Sequence, residues 1–457
     1  MYMGKSIHQR KECLMKNMEF VGFDDLNGKP GFQMAMQKAN GHYYLYATSF
    51  RWNGINILDV TDPKNPRKIK WMEGFWADDS IHDGQSTPKI QIADGLLILA
   101  HGGTMDVLHG TPKGNTLPYW GGISIWDVET DPENPKLLSK FHCGGGPGVH
   151  RFFYNGGDYV YVTGSCEGYA FFILRIVDIS DPCNPKEVGR WWMDEQYVGN
   201  TPGGTLPPFG SEAFLNTPQL HACAYRDGIV YMAYQNVGLI MVDVTDPTNP
   251  KMISKCQLNP TFGGGAGGAR THTVLPIGDQ PYVLMSTEAE RCYYFSETAT
   301  EGLYQKLVTN PMNMLGFVEI TDMNRPNLIS VFPYPEVPEG YTHGKNFNYV
   351  DGMRVPFGPH NSFDAYGQDV YESYRDRIYT CYFHAGLRVY DTSDPFMPKE
   401  IAYFLPPDPD GPAFDNEDGT LMPGPIVGIA EDVLVDDRGY IYFDTANDGL
   451  YIVKCTV

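Results

Sequence analysis

Short runs of alternating apolar and polar residues recur along the chain, most opened by glycine and closed by an aspartate and a proline-rich turn. They read INILDVTDPKNP after Gly54, ISIWDVETDPENP after Gly122, RIVDISDPCNP after Leu174 and LIMVDVTDPTNP after Gly238. FVEITDMNRP after Gly316 and LRVYDTSDPFMP after Gly386 are further copies, and LYIVKCTV after Gly449 is a truncated one. A period of two predicts a strand. DPxNP predicts a turn, because the Asp carboxylate accepts backbone N–H bonds and Pro presets φ. One more strand follows each turn, as in KLLSKF after Pro135, and two precede the run, the nearer exemplified by YVYVTG from Tyr159. Four strands per unit and seven units predict an all-β fold, a seven-bladed β-propeller. The seventh unit lacks its outer strand. The alternating run from Met18 to Phe23 would supply it and close the ring, removing a free edge. The expected organisation is an extension over 1–17 and one propeller domain over 18–457.

The Gly-Leu-x-Ile-Val-Asp phrase resembles the LVIVD-repeat family of β-propellers, over the chain from about Met18 to Val457. The resemblance implies the fold and leaves the activity open, because propellers host many.

Histidines add a second periodicity. His82, His150, His221, His272 and His360 each fall at the expected start of a blade's first strand, with Gln33 in the first blade and Glu431 in the last. First strands line a propeller's central channel, so these positions should form a circle at one depth. Five imidazoles and a carboxylate are metal-ligand chemistry suited to Mn, Fe or Zn. His82, His150, His221, His272, His360 and Glu431 are therefore the candidate metal residues, some as ligands and some as supporting groups. The alternative is that the histidines only bridge neighbouring blades by hydrogen bonds.

The long insertions, 101–120, 191–218, 288–315, 333–358 and 406–428, all fall in loops expected on the face that holds this ring. Such a bias suits a lid over an active site. Four further residues of that face are catalytic candidates. Arg151 and Arg270 flank ring histidines and would suit an enolate or anionic oxygen. Glu288 opens an insertion at ring level and could shuttle a proton. His384 lies in a tight loop between second and third strands. Asp83, Asn361 and Asp432 each follow a ring residue, and an unbroken strand would turn them away from the channel. The glycine runs before His150 and His272 lack the Lys-Ser/Thr of a phosphate loop and read as tight entries into the channel. No GxSxG marks a serine hydrolase.

Composition narrows the function. A net charge of −21 argues against nucleic acid and against an anionic membrane surface. No apolar stretch reaches membrane-spanning length, and the polar segment from Met1 to Phe20 does not read as a signal peptide. Nine cysteines without a CxxC pair suit reduced thiols, hence a cytoplasmic location. Aromatic residues in and near the insertions (Trp76, Trp120, Phe209, Tyr294, Phe295, Phe347) suit a small cyclic or aromatic-derived guest. Homo-oligomerisation through the side of the ring stays open. Among LVIVD-like propellers the chain resembles a family of dihydrophloroglucinol cyclohydrolases from anaerobic gut bacteria. That resemblance implies a divalent metal, Mn foremost, and hydrolysis of a C–C bond in a cyclic 1,3-diketone. The competing readings are an iron- or copper-dependent oxidase or oxygenase at the same site, and a non-enzymatic interaction propeller.

Overall fold

The computed structural model describes residues 13–49, 52–74, 85–104, 119–205, 217–257, 270–288, 313–350, 353–363, 367–373, 376–411 and 426–457. Seven four-stranded antiparallel sheets form the ring of a β-propeller. Blade one comprises Met34–Ala39, His42–Thr48, Gly54–Asp59 and Arg67–Glu73, and blade two Gln85–Ala93, Leu96–Gly103, Gly122–Asp127 and Lys136–His142. Blade three is Val149–Phe153, Tyr159–Ser165, Phe172–Asp178 and Lys186–Trp191; blade four is Leu220–Arg226, Ile229–Tyr234, Gly238–Asp243 and Lys251–Gln257. Blade five is Arg270–Pro276, Tyr282–Glu288, Leu315–Glu319 and Asn327–Val331. Blade six contains Arg377–Cys381, Leu387–Asp391 and Lys399–Leu405, and blade seven Ala430–Val435, Tyr440–Thr445 and Leu450–Cys455.

The N-terminal segment closes the ring twice. Met18–Asp24 pairs with the last strand of the chain, Met18 opposite Cys455 and Asp24 opposite Leu450, and becomes the expected outer strand of blade seven. Leu14–Lys16 pairs with Lys399–Leu405 and edges blade six. The second pairing was not expected, since these three residues fall in the segment read as an extension. Blade six also has an irregular inner strand. His360–Phe363 runs beside Arg377–Cys381, with backbone bonds from His360 N to Cys381 O (2.8 Å) and from Phe363 N to Tyr379 O (2.9 Å).

The third strands are buried on both faces, as in Gly238–Asp243, because each blade is sandwiched between neighbours. This is why the repeat reads as a near-continuous apolar run there. Outer strands such as Lys251–Gln257 are half exposed. The DPxNP turns behave as read. Asp62 Oδ1 accepts from Lys64 N at 3.0 Å and Asp131 Oδ1 from Glu133 N at 3.0 Å, and Asp181 and Asp246 repeat the contact. The carbonyl after each Asp then reaches the adjacent blade: Tyr46 Oη donates to Pro132 O at 2.7 Å, and Ser139 Oγ donates to Pro182 O. Each turn therefore caps its own hairpin and fixes the spacing to the next blade.

The expectation that long connections gather on one face needs one correction. The connection between the inner and second strands of blade six lies at the opposite mouth and crosses it. Gln368 Nε2 donates to Ile92 O (3.0 Å) in blade two and to Asn155 Oδ1 (2.7 Å) beside blade three. Tyr371 bridges Asp436 of blade seven, and its hydroxyl accepts from Met36 N (2.8 Å) in blade one. These contacts plug the channel at the end away from the histidines.

Candidate metal centre

The channel histidines sit on β-bulges. Register breaks between Val149 and Arg151, between Leu220 and Ala222, and between Thr271 and Thr273 leave His150, His221 and His272 as the extra residues. A break between Ala430 and Val433 does the same at Glu431 and Asp432. A bulge removes one residue from the alternation and re-aims its neighbour. The residue after the histidine is therefore not turned away from the channel, contrary to the strand-based expectation. Arg151 and Asn361 meet there, with Arg151 Nη2 2.9 Å from Asn361 Oδ1. Asp432 also lines the channel, its Oδ2 accepting from Met34 N at 2.8 Å. Lys89, from the bulged strand of blade two, is 1% exposed and lies over the Phe32 ring at 3.6 Å. Alternation hid these groups, and the bulges that re-aim them leave no mark in the sequence.

Four imidazoles form an arc. Ring centroids are 4.5 Å apart from His150 to His221, 4.2 Å from His221 to His272 and 4.8 Å from His272 to His360. Phe172 stacks on His150 and Phe383 on His360. Backbone acceptors fix the tautomers. His221 Nδ1 lies 2.8 Å from His272 O, and His360 Nδ1 lies 2.6 Å from Glu431 O. A carbonyl only accepts, so both Nδ1 atoms carry the proton and both Nε2 atoms present a lone pair. Arg151 Nη2, which can only donate, lies 2.8 Å from His272 Nε2, so that Nε2 accepts and Nδ1 carries the proton toward Thr273 Oγ1 at 2.6 Å. Burial, followed by the neighbouring His221, Arg151 and His360, holds the His272 pKa well below the usual histidine value, so the ring is neutral.

Glu288, the last residue of its strand, enters this arc. Its Oε2 is 3.4 Å from His272 Nε2 and 3.9 Å from His221 Nε2, and its Oε1 is 3.8 Å from His360 Nε2. Ligand atoms of His221, His272 and Glu288 all lie within 4.8 Å of one another. Two ligands each about 2.1 Å from one ion are about 3.0–3.4 Å apart at octahedral or tetrahedral angles. The His272–Glu288 distance falls in that range and the His221–Glu288 distance about 0.5 Å beyond it, so the three groups suit a small divalent cation in chemistry and would draw together slightly to hold one. Glu288, read from the sequence as a proton shuttle, lies where a carboxylate ligand would be.

Glu431 is placed differently. Its side chain is fully buried, and Oε2 lies 3.2 Å from His360 Nδ1, on the opposite side of that ring from Glu288. It orients His360 from behind. Arg151 faces the arc, Nη2 2.8 Å from His272 Nε2. Arg270 instead donates from Nη1 to Gln235 Oε1 at 3.1 Å. His384 is engaged by the 333–358 insertion, with Nε2 2.7 Å from the Tyr341 hydroxyl and Phe347 against its ring. Burial, then the nearby His343, takes its pKa down to about 3. Gln33 holds blade two through Oε1, which accepts from Ile90 N at 3.0 Å. His82 and Asp83 lie outside the described residues, and so does most of each of the insertions 101–120, 288–315 and 406–428. Blade two carries a bulge of its own at Thr87 and Pro88.

Beneath the arc is a buried polar tier. Burial lifts the Asp432 pKa to about 6, against the Met34 amide, Lys89 and Arg151. Burial, then the charges of Asp432 and Glu431, push Asp444 well above the carboxylate range. A cavity of roughly 60 Å³ lies between this tier and the Gln368–Tyr371 plug.

Residues 156–192 and 227–257 match the LVIVD repeat. These segments cover the second to fourth strands of blades three and four, so the chain is a seven-bladed propeller carrying LVIVD repeats. No curated protein matches it. Solved structures with a similar ring include U3-55K, 9% identical over 96% of this chain and 98% of that one, with a TM-score of 0.51. The WD40 repeats of RRP9 are 10% identical over 97% and 99%, with a TM-score of 0.52. At this identity the likeness is one of fold.

Proposed function

We propose that the protein is a metal-dependent hydrolase that opens a small cyclic 1,3-diketone by cleaving a C–C bond. The observation that carries a metal centre is the convergence of His221, His272 and Glu288, with His360 beside them and His221 and His360 oriented by backbone carbonyls. A divalent cation bound there supplies Lewis acidity toward a carbonyl oxygen and toward water. The substrate class follows from the cyclohydrolase resemblance, with Mn the metal it implies.

The chain's own groups suit the reaction. Water adds to one carbonyl carbon, the bond to the intervening carbon breaks, and that carbon leaves as an enolate that takes up a proton. Neutral His272 and buried Glu431 fix the donor set without adding mobile charge. Arg151 donates into the arc and suits the enolate oxygen. Phe172 and Phe383 wall the site with flat apolar surface against a ring-shaped guest. The plug leaves the histidine face as the approach.

Elemental analysis of purified protein, followed by assays with cyclic 1,3-diketones, tests this reading. About one Mn or Zn per chain, lost in His221→Ala while the fold persists by circular dichroism, is the expected result. Iron or copper instead would favour oxidative chemistry at the same residues. A protein that stays metal-free after reconstitution with each ion would sink the enzyme reading and favour an interaction propeller.

A further inference from the structure

Two neighbours in one bulge cover the two lone pairs that a cation would need. His221 Nε2 and His150 Nε2 are 2.8 Å apart. Because His221 spends its proton at Nδ1 on a carbonyl, the proton between the two rings belongs to His150. Arg151 Nη2 donates to His272 Nε2 at 2.8 Å and to Asn361 Oδ1 at 2.9 Å. The two covering groups differ in chemistry. His150 can move its proton to Nδ1 and offer a lone pair of its own. A guanidinium keeps its protons at any physiological pH and can only leave.

We infer that Arg151 is an internal stand-in for the cation: it occupies the His272 lone pair and must leave it before a metal can bind. The inference rests on the metal centre proposed above. The fold provides a destination. The cavity beneath the arc is lined by Arg151, Asn361 and Asp432 together, so the guanidinium can turn from a histidine to a carboxylate without crossing the channel. Asn361 sets the resting geometry by holding the same Nη2 that meets His272. Arg151 thus lowers metal affinity while protecting a buried polar cluster that would otherwise be unsatisfied. Once displaced, it stands next to the centre as the cation available to a developing oxyanion.

The test is titration of metal-stripped protein with MnCl2 and ZnCl2 by isothermal calorimetry, for the wild type, Arg151→Gln and Asn361→Leu. Arg151→Gln should bind at least tenfold tighter, and its metal-free form should melt at a lower temperature that added metal restores. Asn361→Leu keeps the guanidinium charge but frees it, and should also bind tighter, by about threefold or more. Equal or weaker binding by Arg151→Gln, with metal on both proteins, overturns the inference and leaves the metal centre standing. Tighter binding by Arg151→Gln with unchanged binding by Asn361→Leu reduces the effect to charge repulsion and overturns the competition. Absence of metal from all three proteins overturns the centre and the inference together.

Discussion

Single residues carry the features the sequence hid. The spacing of histidines announced a ring, and four of them meet in the channel. The carboxylate that joins them comes from Glu288, at the end of a second strand, because strand length rather than repeat register places it there. Glu431 kept its register and fell behind His360. Asp432 was expected to face away, and a bulge turns it inward. Away from this centre, Glu372 offers a cleaner titration. It accepts from the Tyr379 hydroxyl at 3.2 Å, and burial raises its pKa to about 7. A raised carboxyl is neutral in the folded state and ionised in the unfolded chain between about pH 4.5 and 7, so stability falls as pH rises through that window. Glu372→Gln should therefore match the wild type near pH 4 and exceed it by about 1–2 kcal/mol at pH 8, after allowance for solvent screening. Urea denaturation across pH 4–9 checks both limits, and equal stability at pH 8 would contradict a buried charge.

At the scale of elements, the repeat was legible because one turn does two tasks. Asp side chains close the hairpin, and the following carbonyl meets the next blade. The outer strand must then leave room for that carbonyl. At Gly189 a Cβ would lie 1.9 Å from Pro247 O, and at Gly22 2.2 Å from Pro63 O. Both contacts are with backbone, which cannot rotate aside. Gly189→Ala should cost about 1–3 kcal/mol in urea unfolding. The turn acid Asp391, which accepts from Ser393 N at 2.9 Å, should cost about 0.5–1.5 kcal/mol as Asp391→Ala. If the glycine change proves the milder of the two, the spacing between blades is softer than these contacts imply. The irregular inner strand of blade six was not legible, since His360–Phe363 keeps only part of a ladder. The plug was missed for a related reason: its residues carry no repeat and were indistinguishable from an ordinary turn.

For the whole molecule, closure is the feature that alternation described best and understated. Met18–Phe23 was recognisable as a seventh outer strand because the last unit visibly lacked one. Leu14–Lys16 is too short to show a period. The two strands join the N-terminal segment to two different blades, so the ring is held by a strap and not by a single seam. Removing residues 13–24 should lower the melting temperature of the entire ring in one transition. Deleting Leu14–Lys16 alone should cost less and leave the ring closed. Scanning calorimetry separates the cases, and two transitions in the first variant would mean that the blades unfold independently.

The strap also sets a timetable. Met18 has its partner at Cys455, so a strand made early waits for one more than 430 residues later. During synthesis the nascent propeller carries an open edge on blade one and an unclaimed strand at its start. Contacts so remote in sequence are slow to form, and an exposed edge is a template for another chain. A circular permutant that joins the present termini through a short linker and opens between blades four and five would make that pairing local. Faster refolding and less aggregate at the same protein concentration are the expected gain. The ring would then no longer wait on its most remote pairing.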